Sequence, residues 1–258
     1  TNSSSRSTRP SCGTTPRSAS SPKASSSVLT SEPGGNARRT LVSARGVHVV
    51  TGRIPAVGTG VDVEDAEELL GPDAATLGSL DETRVASYLT ARRWVRDIVT
   101  LRLRRPWRGF EATPRGVKPR LEESTLDVSI AHAGDRLVVG VVEHGRIGVD
   151  IELVASVFDQ PALARRLCTP AERRRADGLP TADRRGWLTQ LWAVKESYAK
   201  ALGAGLALDF RGLDAARLRH SGGVRGVLTP ASGLTRAKIA LSWVDAAPSC
   251  SPSSVRAI

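Results

Sequence analysis

The sequence predicts an α+β fold on three observations. Helix-period and strand-period runs alternate through residues 47–245, the strand-like runs are short and set off by turn residues, and each half of this stretch gives a strand, helix and strand grouping. Two halves of similar size are therefore expected, 47–143 and 144–245, between tails at 1–46 and 246–258.

The elements follow in chain order. "VHVV" (47–50) reads as a first strand. Residues 81–103 read as a long helix, because Val85, Tyr88, Leu89, Arg92, Val95, Ile98 and Val99 keep the i, i+3, i+4 rhythm behind an N-cap at Asp81. Residues 106–120, rich in Pro and Gly, read as a loop. Three strands come next: "LDVSIAH" (126–132), "RLVVGVV" (136–142) and "RIGVDIEL" (146–153). The short "EHG" connection predicts a hairpin between the last two. Residues 159–176 read as helix, with Thr169-Pro170 restarting it, and 184–202 as a second helix stopped by "GAG" (203–205). "GLALDF", "RGVLT" and "KIALSWV" read as closing strands.

Composition narrows the function classes. The net charge is +11, which favours an acidic partner. Residues 1–40 contain no Phe, Trp or Tyr and carry six basic residues against Glu32, so this Ser/Arg-rich tail holds nearly half of that charge and is expected to be disordered. Its Ser/Arg bias is also that of an organellar transit peptide, without the amphipathic stripe such segments carry. The three cysteines and four histidines show no metal-ligand spacing and fit a cytoplasmic protein with reduced thiols. No run approaches the roughly 18 apolar residues of a membrane span, so no membrane partner is expected. A basic nucleic-acid-binding module would suit the charge. It lacks a recognition motif with base-stacking aromatics and has to accommodate a central acidic cluster, so no nucleic-acid partner is expected.

That cluster carries the chemistry. Asp150 and Glu152, two apart on a strand, project from one face with Val149 and Ile151 behind them. Two adjacent carboxylates attract a hard divalent cation, although a strand face meeting water shows the same pattern. Glu196 and Lys200 are helical neighbours, as a plain i,i+4 ion pair would also be. Lys195 falls on the apolar Leu188/Trp192/Ala199 face, which suggests the rim of an anion site. His132 ends a strand in "SIAHAGD", and "RGVKPRL" (115–121) is a basic loop.

Together these segments resemble the 4′-phosphopantetheinyl transferases, in the broad-specificity, surfactin-synthetase-activating branch. The family's Gly-(Ile/Val)-Asp-x-Glu is matched by Gly148, Val149, Asp150 and Glu152. Its Trp-x-x-Lys-Glu-(Ser/Ala)-x-x-Lys is matched by Trp192, Lys195, Glu196, Ser197 and Lys200. "GVKP", "SIAHAGD" and "YLTARRWVR" (88–96) resemble its Gly-Lys-Pro, Ser-His-Ser-Gly and preceding helical segments, in the same order. The likeness extends over about Val47 to Val244. Val117 is inserted in Gly-Lys-Pro, Ala131 and Ala133 replace the serines beside His132, and basic residues before the long helix are sparse.

The resemblance implies two α+β halves in a pseudo-twofold arrangement. It also implies transfer of the 4′-phosphopantetheine arm of coenzyme A to a serine of an acidic acyl or peptidyl carrier protein, with release of 3′,5′-ADP, by a monomer. It assigns Mg²⁺ to Asp150, Glu152 and Glu196, and the catalytic roles to Glu196 as base and Lys200 as the cation stabilising phosphate charge. Coenzyme A would be bound by Arg84, Arg92, Arg115, Lys118, Pro119, Ser129, His132, Asp150, Lys195, Glu196 and Lys200. The departures leave open an inactive relative that binds coenzyme A or a carrier without transferring anything.

Overall fold

The computed structural model describes residues 38–44, 46–55, 65–114, 116–215 and 237–244, which form a mixed α and β structure. Arg115 and the expected strand "RGVLT" lie outside these residues.

Strands β1 (Arg39–Ala44) and β2 (Val47–Arg53) pair antiparallel around Gly46, whose φ of 73° favours glycine. β1 falls in the segment expected to be tail. Leu41 and Val42 pack against the apolar cluster beside it, a local burial that the polar composition of 1–46 as a whole conceals. β3 (Asp127–Ala133) and β4 (Arg136–Val142) form a hairpin through Gly134-Asp135, and the four strands make an antiparallel sheet in the order β1-β2-β4-β3.

The expected hairpin between β4 and β5 (Arg146–Leu153) does not form. Both edges of β4 are taken, by β2 and β3, so β5 pairs instead with β6 (Ala237–Val244) in a second, two-stranded sheet. The sheets meet at a seam made by side chains. Asp127 and Ser129, two apart on β3, accept from the backbone N–H of Ile147 (2.7 Å) and Val149 (3.0 Å) on β5. Gly140 of β4 makes room for this packing, since a Cβ there would come within 2.8 Å of the Ile147 and Val149 side chains.

Helix α1 (Ala66–Leu70) runs into a 3₁₀ segment (Gly71–Ser79). Helix α2 (Glu82–Asp97) begins where expected, with the Asp81 carboxylate accepting from Arg84 N–H at 2.9 Å, and ends in a π turn at Ile98–Arg102. Its apolar face covers Leu137, Val139 and Val141, while Val138 and Val142 face β5 and β6.

The expected helical stretch 159–176 is a 3₁₀ turn (Ser156–Asp159), α3 (Pro161–Leu167) and α4 (Pro170–Asp177), the last restarting at Thr169-Pro170 as expected. Thr169 and Glu172 close a reciprocal capping box at the restart. Helix α5 (Thr181–Leu202) stops at Gly203, in the left-handed region at φ 71°. "GLALDF" is two 3₁₀ turns (Gly205–Ala207 and Phe210–Gly212) rather than a strand. Gly205 has positive φ, and the Asp209 carboxylate caps the second turn.

Candidate active site

The site is built on β5 and α5. Residues two apart on a strand advance about 6.6 Å, and residues four apart on a helix rise about 6 Å, so antiparallel packing keeps the two in step. Gly148 sets the contact: a Cβ there would lie 1.8 Å from the Ser197 carbonyl oxygen and 2.5 Å from the Ala201 nitrogen. The buried hydroxyls of Ser197 and Ser242 meet at 2.8 Å, tying α5 to β6 as well.

Two residues beyond Gly148, the Lys200 ammonium donates to Asp150 Oδ1 at 2.5 Å. Two further on, Glu152 Oε1 accepts from the Trp192 indole at 3.1 Å. Glu196 lies between Trp192 and Lys200 on α5. Asp150 is 3% exposed and Glu196 8%, and one oxygen of each, Asp150 Oδ2 and Glu196 Oε1, is buried with no hydrogen-bond partner.

Burial and neighbouring charge shift the three carboxylates. Burial, and then the Asp150 carboxylate, push Glu152 up to about 7, against the pull of the Trp192 hydrogen bond and Lys200. Burial also raises Asp150 and Glu196, with Lys200 opposing in both and Asp150 adding to the rise of Glu196. His132, near the end of β3, is held below its ordinary value by partial burial of the ring and by the charges of Lys200 and Arg84. The expected residues Arg84, His132, Asp150, Glu152, Glu196 and Lys200 thus share one electrostatic neighbourhood.

Other expected binding residues are committed elsewhere. Lys195 is not at a rim: it is wholly buried, and its ammonium donates to Leu167 O (2.7 Å), Phe210 O (2.8 Å) and Glu172 Oε2 (2.6 Å). Arg92 is held by Asp73 through Nε at 2.9 Å and stacks on Tyr88, which also donates to Asp73. Lys118 pairs with Asp127 and donates to Ile147 O at 2.7 Å, so it fastens the seam, with Pro119 next to it in the loop. Ser129 is buried and used in that seam.

Sequence reasoning passed over Glu172, although Thr-x-x-Glu at 169–172 is a visible capping signature. Asp127 and Asp73 gave no local signal, because their partners are distant in the chain.

Among the described residues, no group of three His, Cys, Asp or Glu side chains stands ready to hold a metal ion. The donor chemistry still suits a hard cation. Two buried carboxylate oxygens are unpartnered, and Glu152 is destabilised by its acidic neighbours, the repulsion that a divalent cation relieves. Among the described residues, no helix is long and apolar enough to cross a membrane.

The family comparison matches the same segment. Residues 146–240 match the 4′-phosphopantetheinyl transferase superfamily. The chain is 32% identical over 101 residues to slr0495 of Synechocystis sp., provisionally named a 4′-phosphopantetheinyl transferase, covering 38% of this chain and 41% of that one. It is 31% identical over 102 residues to the 4′-phosphopantetheinyl transferase HetI of Nostoc sp., covering 38% and 43%. The chain thus matches about two fifths of the length of these curated relatives. Asp150, Glu152, Glu196 and Lys200 all lie in the stretch that matches the 4′-phosphopantetheinyl transferase superfamily.

Proposed function

We propose that this chain transfers the 4′-phosphopantetheine arm of coenzyme A to a serine of an acidic acyl or peptidyl carrier protein and releases 3′,5′-ADP, as a holo-carrier synthase of the broad-specificity type. The observation that carries the reading is the convergence of Asp150, Glu152, Glu196 and Lys200, two of them with orphaned buried oxygens, inside the segment that matches the family. In this reading the strand groupings on either side of residue 143 are the two pseudo-twofold halves, the first beginning at β1.

Asp150, Glu152 and Glu196 would hold Mg²⁺, which when bound neutralises pyrophosphate charge. Glu196 takes the proton of the incoming serine hydroxyl, directly or through water. Burial raises its basicity toward that task. Lys200, paired with Asp150 in this structure, turns to the phosphate charge that builds as the nucleotide leaves. His132 and Arg84 face the same region and are the proposed phosphate contacts, with Arg115 and Pro119 bordering the adenine. Arg92, Lys118, Lys195 and Ser129 support the site from behind.

The test is the intact mass of an apo carrier protein after incubation with the chain, coenzyme A and Mg²⁺. A gain of about 340 Da that disappears with Glu196→Gln is expected. An unmodified carrier, with coenzyme A bound, would replace this reading with that of an inactive coenzyme A-binding relative.

A further inference from the structure

Lys195 immediately precedes Glu196, yet its side chain points away from the carboxylates into the core. There it meets Glu172 in a pair with every bond filled. Besides the Lys195 ammonium, Glu172 accepts from Thr169 N–H (2.8 Å) and Ala215 N–H (2.9 Å). Desolvating two such charges costs about as much as their attraction returns, so stability alone does not account for the pair. Its geometric effect is specific. The segment after Gly203 consists of two short 3₁₀ turns, and the pair grips it twice, at Phe210 O by Lys195 and at Ala215 N by Glu172.

The grip on Phe210 reaches the site in two further contacts. The Phe210 ring stands edge-on to Trp192, with centroids 5.8 Å apart at 81°, and Phe158 meets the same indole edge-on at 6.3 Å and 64°. In contact with both rings, the Trp192 indole donates to Glu152 Oε1 at 3.1 Å.

We propose that Glu172 and Lys195 are positioning residues that fix the Glu152 carboxylate through Phe210 and Trp192. The inference rests on the transferase reading only for what Glu152 then does. A salt bridge that merely filled the core would stabilise the fold without acting on Trp192 or on Glu152. A relay makes the indole bond depend on an ammonium about one helical turn away along α5.

The test uses the full chain carrying Lys195→Met with Glu172→Gln. This double change removes both charges and keeps an acceptor for one of the two N–H groups, Thr169 and Ala215, which bond different oxygens of Glu172. Phe210→Leu, which cuts the middle link and leaves the ion pair intact, is the second variant. The indole N–H resonance of Trp192, identified by its loss in Trp192→Phe, is followed without carrier or turnover.

Both variants are expected to shift that resonance and to speed its hydrogen exchange about tenfold or more. Both are also expected to raise the half-saturating Mg²⁺ in calorimetric titration about tenfold, the usual effect of losing an outer support of a metal ligand, with KM for coenzyme A within about twofold. A folded variant of either kind with an unchanged Trp192 signal and Mg²⁺ midpoint overturns the relay. A wild-type chain that leaves every apo carrier unmodified overturns the transferase reading instead, and the resonance still decides the relay.

Discussion

Glu152 shows how one side chain sets a cost that the fold bears for its site. Its carboxyl is pushed up to about 7, chiefly by burial and by Asp150, from an ordinary value of 4.5. The folded protein therefore holds this proton over a pH range in which the unfolded chain has released it. Below the unfolded value both states are protonated and Glu152 costs nothing. As pH rises from 4.5 to 7 the folded state binds the excess proton, and stability falls by an amount that is complete above 7. Glu152→Gln removes the charge and keeps an acceptor for the Trp192 indole. The expected result, from urea unfolding in EDTA, is a gain of about 1–3 kcal/mol at pH 8 and none at pH 4, with transferase activity lost. Equal stability of the two proteins at pH 8 would mean that Glu152 is not strained by its neighbours.

Gly148 does the corresponding work between elements. The nearest obstacles to a Cβ are backbone atoms of α5, at 1.8 Å and 2.5 Å, and no rotamer change clears them. Gly148→Ala is therefore expected to part α5 from β5, at a cost of about 3 kcal/mol or more. Activity should be lost even at temperatures where the variant stays folded. A variant that keeps wild-type denaturant midpoint and activity would show that the packing is looser than this geometry requires.

The glycine was visible in the sequence only as part of the "IGVDIEL" run. What it admits was not, because its contact on α5, Ser197, lies 49 residues downstream. The same distinction separates the rest of the readable from the unreadable. α5, the Asp81 cap and the shared face of Asp150 and Glu152 follow from local periodicity. The false β4–β5 hairpin came from a short connection whose outcome was decided by β2 occupying the other edge of β4. Lys195 on an apolar face was correctly read as anomalous, but its partner Glu172 sits 23 residues away on α4 and no spacing rule connects the two.

Over the whole molecule, charge is divided unevenly between task and approach. The site itself is an acidic cluster, while the chain carries a net charge of +11. In the proposed reading, the excess of basic charge would draw a negatively charged partner to the surface and leave capture of a divalent cation to the interior, where Asp150 and Glu196 are buried. Salt screens the first effect over a Debye length of about 10 Å at 0.1 M and leaves short, partly buried pairs such as Asp150–Lys200 less affected. With coenzyme A saturating, raising NaCl from about 20 to about 200 mM is expected to raise KM for an acidic carrier roughly tenfold while kcat changes by less than about twofold. Coenzyme A is itself an anion, so its saturation is checked at each salt concentration. A carrier whose KM ignores salt would place recognition in apolar contacts. A fall in kcat at constant KM would mean that salt reaches the buried carboxylates, against the enclosure the structure gives them.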